Sequence, residues 1–288
     1  MHGAHGTQLR KELAGVGILP FIGVYDVFSA TIAGRHFDSL FVSGFGFAAS
    51  HYGLPDIGFI AWSDMVAFVQ RIRAVLPRHH LLVDIDDGYC DPEVACHVVS
   101  LLERVGASGV VLEDQKRPRK CGHFEDKQLM DCDEYVAKLK QVLATRRDLY
   151  VVARTDASDP RDIAGRVEAY AAAGADALLV DGLRDIELIR ALKARVQKPF
   201  AFNQIAGGKS PPASLRQLKE LGASLVIYST PCLFAAQAAV ERAMTTLRDN
   251  DGDLSILSGG VRLKECSDVL NENLARRDSI LEPKTVCQ

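Results

Sequence analysis

Carboxylates recur in this chain at the ends of short apolar runs. Asp84-Ile-Asp86-Asp87-Gly88 closes one run, Glu113-Asp114 another, Arg154-Thr-Asp156 a third and Asp181 a fourth, while Asp26 and Asp56 stand beside two more. Carboxylates brought together repel one another unless a cation sits among them, and an all-oxygen set favours Mg2+, or Mn2+ in its place, over zinc. Asp84, Asp86 and Glu113 are the metal candidates; Asp84 and Asp86, two residues apart, would share one face of a strand. For Asp26, Asp87, Asp114 and Asp156 the plain reading, as helix caps or partners of Arg154, carries equal weight.

The second reactive feature is Lys120-Cys121-Gly122-His123, inside a polar, cation-rich stretch from Gln115 to Asp131. Arg119, Lys120 and His123 would favour the thiolate of an exposed loop cysteine, making Cys121 a tuned acid or nucleophile; an incidental loop cysteine is the bland alternative. Two motifs fail. Asp84-x-Asp86-x-Gly88 opens like a calcium loop but lacks its third ligand, and Gly208-Lys209-Ser210 ends like a nucleotide-binding loop whose first glycine falls on Asn203. The Gly207-Gly208-Lys209 turn could still offer N–H groups and a cation to an anion.

Many strand ends on one rim require a scaffold of repeated βα units. Three phrases supply its signature: a helical pattern ends in Gly-Ala at Gly106, Gly174 and Gly222, and an apolar β-rich run follows at once. Glycine suits the left-handed residue that closes a helix, and the apolar run suits a strand buried on both faces. The full set of predicted strands is 21–25, 39–43, 81–86, 110–113, 150–154, 177–181, 200–203 and 225–228. Helical periodicity between them predicts a (β/α)8 barrel over residues 1–245, with 115–131 as a lid over its functional, C-terminal face. Residues 246–288 form a helical extension, its helix Arg262 to Arg276 expected to dock on a neighbouring subunit.

Composition narrows the function classes. The 288 residues are 48% apolar, enough for a sizeable core, and 34 basic against 37 acidic side chains leave −3 with no dense basic run, which argues against nucleic acid. No apolar stretch of about 18 residues predicts a membrane span, and Met1, His2, Gly3, Ala4 and His5 do not read as a secretory signal. Seven scattered cysteines (Cys90, Cys96, Cys121, Cys132, Cys232, Cys266 and Cys287) suit a reducing cytoplasm, with Cys96 and Cys232 in core patterns.

Taken in order, Gly53-Leu-Pro-Asp-Ile-Gly58, Asp84 to Gly88, Leu112-Glu-Asp-Gln115 leading to Lys120-Cys-Gly-His123, Ala153-Arg-Thr-Asp-Ala157, and Asn203 ahead of Gly207-Gly-Lys209 resemble the isocitrate lyase/phosphoenolpyruvate mutase superfamily over about residues 15–245. The resemblance implies a barrel whose eighth helix is exchanged within a homotetramer, a dimer of dimers, acting on a small carboxylate through an enolate held on Mg2+. By motif, it implies Asp84 as direct metal ligand with Asp56, Asp86 and Glu113 in support. It implies a clamp on the substrate carboxylate from Ser43, Gly44 and Arg154, with Phe45 and Gly122 beside it. Cys121 would be the lyase acid, and His123 with Asn203 would bind the departing carboxylate.

The closest motifs are those of methylisocitrate lyases and carboxyphosphonoenolpyruvate phosphonomutases. The expected activity is a carbon–carbon lyase giving a 2-oxo acid and a smaller carboxylate, with the phosphonomutase, or an oxaloacetate decarboxylase or hydrolase, as alternatives. Against the methylisocitrate lyases, Arg119-Lys120 replaces Lys-Arg and Asp181 replaces a glutamate. Both changes leave the diacid open.

Overall fold

The computed structural model describes residues 4–257 and 260–281; Cys287 and the first three residues lie outside them. Eight parallel strands close into a barrel in sequence order: β1 Leu19–Val24, β2 Ser39–Val42, β3 His80–Asp84, β4 Gly109–Glu113, β5 Tyr150–Thr155, β6 Ala177–Val180, β7 Phe200–Gln204 and β8 Ala223–Tyr228. The seam pairs Phe21 with Ile227. Each strand lies within two residues of its predicted ends. The predicted third strand overran by two residues, because Asp86 takes a left-handed conformation (φ 50°) and turns the chain out of the sheet.

The helices are α1 His5–Val16, α2 Val27–Ala33, α3 Gly44–Phe47, α4 Trp62–Val75, α5 Pro92–Arg104, α6 Cys132–Thr145, α7 Pro160–Ala173, α8 Leu188–Arg195, α9 Leu215–Leu221, α10 Pro231–Asp249 and α11 Leu263–Leu281. Their boundaries follow from local chemistry. Asp26, Asp91, Asp131 and Asp159 cap α2, α5, α6 and α7 with side-chain oxygens, and Pro92 and Pro160 open two of those helices. Gly174 and Gly222 close α7 and α9 at φ 103° and 100°, where a Cβ would be strained.

Two apolar layers result. Strand faces turned outward pack against the helices through Leu40, Val83, Val110, Val151, Leu178 and Val226. Inward faces fill the barrel with Phe21, Phe41, Leu82, Val111, Val152 and Leu225. Leu9 and Leu13 of α1 plug the N-terminal end. There Asp148 accepts hydrogen bonds from Gly6 N, Thr7 N and Thr7 Oγ1, and Arg10 donates to Asp148 O at 2.7 Å.

Beyond β8 two long helices follow, α10 and α11. α11 rests on its own chain: Val269 is buried, Asn273 Nδ2 donates to Thr31 Oγ1 at 2.8 Å, and Glu272 pairs with Arg35 at 2.7 Å. It is α10 that has no buried residue. Between α2 and α9, where an eighth barrel helix would lie, an apolar groove of about 660 Å3 runs past Ile22, Phe28, Ile32, Leu215 and Tyr228.

Candidate active site

The predicted site residues converge at the C-terminal mouth. Ser43, Phe45, Asp56, Asp84, Cys121 and Arg154 line one cavity, together with Gly122, Asp181, Asn203 and Ser229. Each comes from a strand end or the loop after it, because only there can side chains from different strands meet above the packed barrel interior. The cavity is small, about 20 Å3, because the 115–131 segment lies over it. An isolated bridge between Gln115 and Leu129 pins the two ends of that segment together.

Arg154, from β5, is the best-held group. Its Nε donates to Asp156 Oδ1 at 2.7 Å and its Nη2 to Asp156 Oδ2 at 2.9 Å, with Asp181 Oδ2 at 2.8 Å and Glu113 Oε2 at 3.2 Å from Nη2. Those carboxylates engage one edge of the guanidinium. Burial alone would push Asp181 up; Arg154, His123 and Asn203 instead hold it well below the usual carboxylate range. Asp156 is likewise held down against burial by Arg154 and Lys127. Behind it, Asp114 accepts from Asp156 N at 3.1 Å, Arg166 Nη1 at 3.0 Å and Tyr170 OH at 2.7 Å, so the clamp is braced to α7.

The cation that the sequence reading used only as a neighbour of Cys121 turns out to be central. Arg119 is 1% exposed and inserts among the candidate metal carboxylates. Its Nη1 donates to Asp56 Oδ1 at 2.5 Å and its Nε to Glu113 Oε1 at 2.8 Å, and its Nη2 lies 3.3 Å from Asp86 Oδ1. Asp56 and Glu113 are thus partnered by a guanidinium. Burial pushes Asp84, Asp86 and Glu113 upward, the last to about 7, against the pull of the arginines.

Among the described residues no three His, Cys, Asp or Glu side chains form a ready cation cluster. The pair that fits a cation is Asp84 and Asp86. Asp86 Oδ1 is buried without a hydrogen-bond partner, and the bare Cα of Gly44 faces both residues. A Cβ there would come within 3.2 Å of Asp84 Oδ2 and 3.5 Å of Asp86 Oδ1, filling the cradle. Mg2+ commonly takes one or two carboxylates and completes its shell with water and substrate oxygens, so this oxygen pair suits it. Sequence alternation did not place the two carboxylates together; the turn at Asp86 did.

Cys121 departs most from expectation. It is 8% exposed, not a solvated loop thiol, and burial pushes it up to about 12. Of the cations expected to lower it, Arg119 is engaged by Asp56 and Glu113. Gly122 lies so close to Arg154 and Asp181 that no side chain would fit there. The Gly207-Gly208-Lys209 turn meets His123, with Lys209 N donating to Nδ1 at 2.9 Å.

Gln115 had no assigned role, yet it is fully buried and ties the segments together. Its Nε2 donates to Lys120 O at 2.7 Å and to Asp156 Oδ2 at 2.5 Å, and its Oε1 accepts from Lys120 N at 2.9 Å. The only sequence signal for it was its place directly after the fourth strand's acidic end. The doubtful carboxylates resolve as follows: Asp26 caps α2, Asp87 pairs with Arg117 at 2.8 Å, Asp114 braces and Asp156 holds Arg154.

Comparison with known proteins brings this geometry into a family. A model of the phosphoenolpyruvate phosphomutase family matches residues 9–248. A 2,3-dimethylmalate lyase of Eubacterium barkeri is 30% identical over 92% of this chain and 93% of its own length. A chloroplastic carboxyvinyl-carboxyphosphonate phosphorylmutase of Arabidopsis thaliana is 32% identical over 85% of this chain and 75% of its own. The solved structure of oxaloacetate acetylhydrolase in complex with the inhibitor 3,3-difluorooxalacetate superposes with TM-score 0.88 at 28% identity, covering 98% of each chain.

Proposed function

The chain belongs to the phosphoenolpyruvate phosphomutase family, and from that premise we propose that it is a carbon–carbon lyase cleaving a 2-hydroxy di- or tricarboxylate into a 2-oxo acid and a smaller carboxylate. The observation that carries the reading is that Arg154, Cys121 and Asp84 line one cavity. A carboxylate clamp, a proton donor and an oxygen pair suited to a divalent cation are three things such a cleavage needs.

Arg154 binds the substrate carboxylate from the edge that Asp156 and Asp181 leave open, and their grip keeps it from turning. Ser43, Gly44 and Phe45 form the facing wall. When the C–C bond breaks, the 2-hydroxyl becomes the carbonyl and its proton passes to a carboxylate lining the cavity, while the bond's electron pair stays on the departing fragment, which must take a proton. Cys121, pushed up to about 12 by burial, stays protonated at neutral pH and supplies that proton from Sγ. Asp84 and Asp86, with Asp56 and Glu113 behind them, would hold Mg2+, which supplies positive charge beside the reacting oxygen. Asp181 and Asn203 shape the far wall, where substrates differ, with His123 behind them. The 115–131 segment excludes water.

A phosphonomutase is the second reading, favoured by the likeness to the Arabidopsis enzyme, and an oxaloacetate-type decarboxylase or hydrolase the third. The deciding experiment offers purified protein with Mg2+ the substrates 2-methylisocitrate, 2,3-dimethylmalate, oxaloacetate and phosphonopyruvate. A lyase releases a 2-oxo acid from a hydroxy acid, stops in EDTA, and in D2O places deuterium in the released carboxylate. Cys121→Ser should then lower kcat by about a hundredfold, the ordinary contribution of a general acid. Phosphorus transfer alone, or normal turnover by the serine variant, overturns the reading.

The assembly is read as a homotetramer in which α10 of one copy fills the α2–α9 groove of another, supported by the bare α10 and the open apolar groove. The reducing cytoplasm suits its six described cysteines, all free. No helix among the described residues is long and apolar enough to cross a membrane.

A further inference from the structure

The turn after β7 has a use that neither an anion site nor a helix start explains. Lys209 N donates to His123 Nδ1 at 2.9 Å, its Nζ donates to Phe124 O at 2.8 Å, and the same Nζ lies 3.1 Å from Glu125. Gly208 sits so close under the imidazole that an added methyl would overlap Nδ1. The other ring nitrogen, Nε2, lies 3.5 Å from Asp181 Oδ1 and 3.5 Å from Asn203 Nδ2. Asn203 has a settled orientation: its Oδ1 accepts from Ser229 Oγ at 2.6 Å and its Nδ2 donates to Asp181 Oδ1 at 2.9 Å. It therefore shows the imidazole hydrogens, not an acceptor. A ring whose Nδ1 accepts a backbone N–H carries its proton on Nε2, and here the acceptor facing Nε2 is Asp181.

We propose that His123 is a positioning residue: the Gly207-Gly208-Lys209 turn fixes it as the Nε2–H tautomer, and that N–H steadies Asp181, which holds Arg154 Nη2 at 2.8 Å. The chain of contacts runs from a backbone amide through an imidazole and a carboxylate to the guanidinium proposed to bind substrate. His123 does not itself line the cavity, whereas Asp181, Asn203 and Arg154 do. The effect on turnover rests on the lyase reading; the tautomer does not.

The test has two independent arms. Imidazole nitrogen NMR of 15N-histidine-labelled protein, with His123→Gln identifying the signal, should show His123 protonated on Nε2 with Nδ1 bare. Lys209→Ala, which keeps the backbone N–H, should preserve that pattern, and Gly208→Ala should abolish it. A proton on Nδ1 in the unaltered protein overturns the proposal whether or not any variant folds. In the second arm, glutamine places an N–H where Nε2–H was and asparagine does not. On the best substrate, His123→Asn should lose at least about tenfold in kcat/KM, mostly through KM, as expected for a displaced clamp, and His123→Gln should stay within about threefold. Equal damage from the two substitutions would make His123 an acid or base and overturn the positioning role. If none of the substrates turns over, the lyase reading fails and the spectrum alone judges the tautomer.

Discussion

At the N-terminal end of the barrel, α1 presses Leu9 and Leu13 onto Phe21, Leu82 and Tyr150, and the few charges there are exposed in part or spent on caps. At the C-terminal end, the same strands deliver Asp84, Glu113, Arg154 and Asp181 into a space where carboxylates and guanidinium groups are nearly all buried. Buried ion pairs contribute little net stability after desolvation, whereas apolar burial contributes about 25 cal/mol per Å2. The difference teaches that one rim closes the fold and the other spends some of that stability on holding charge in place. Asp86 Oδ1 and Glu113 Oε2, buried without hydrogen bonds and held only by the charge of Arg119 and Arg154, are the visible cost.

That contrast can be broken most forcefully at Asp84. Asp84→Asn keeps the shape and removes a buried charge, so activity should fall on the order of a thousandfold while the thermal midpoint in EDTA stays equal or rises. A stability loss alongside the activity loss would mean that the upper rim also holds the fold. Leu9→Ala should do the reverse, costing about 2–5 kcal/mol in denaturant unfolding with kcat nearly unchanged. A smaller effect comes from His5, whose ionisation is lowered to about 4 by burial first and by Arg73 next. Between its ordinary pH range and pH 4 the unfolded chain binds the proton and the folded one does not, so stability is lost as pH falls through that window. His5→Gln should flatten that part of the unfolding profile; an identical slope would place the acid sensitivity at His80, whose ionisation burial lowers likewise.

Much of the barrel was legible because its signals are local. The Gly-Ala phrases mark helix ends by backbone conformation, and runs such as Val110-Val-Leu-Glu113 suit a doubly buried strand. The candidate residues were legible for the same reason, since strand ends name them. Their pairing was not. Whether Asp56 meets a cation or Arg119 depends on where the 115–131 segment crosses the mouth, a path set by contacts such as Gln115 to Lys120 and Asp156 that no spacing encodes. Cys121 was misread for this reason, because flanking cations in sequence say nothing of which carboxylates claim them in space. Nor does pattern say what covers a helix: α10 has no buried residue, whereas α11 buries Val269.

The cavity beside Cys121 and Arg154 has room for about one water molecule. On the lyase reading, a diacid enters when the covering segment lifts. Such lifting would break and remake the grip of Arg117 on Asp87, Arg119 on Asp56 and Lys209 on Phe124. Traffic through the mouth would then share the clock with bond breaking. An improvement to the chemistry alone would leave turnover paced by the slower of the two.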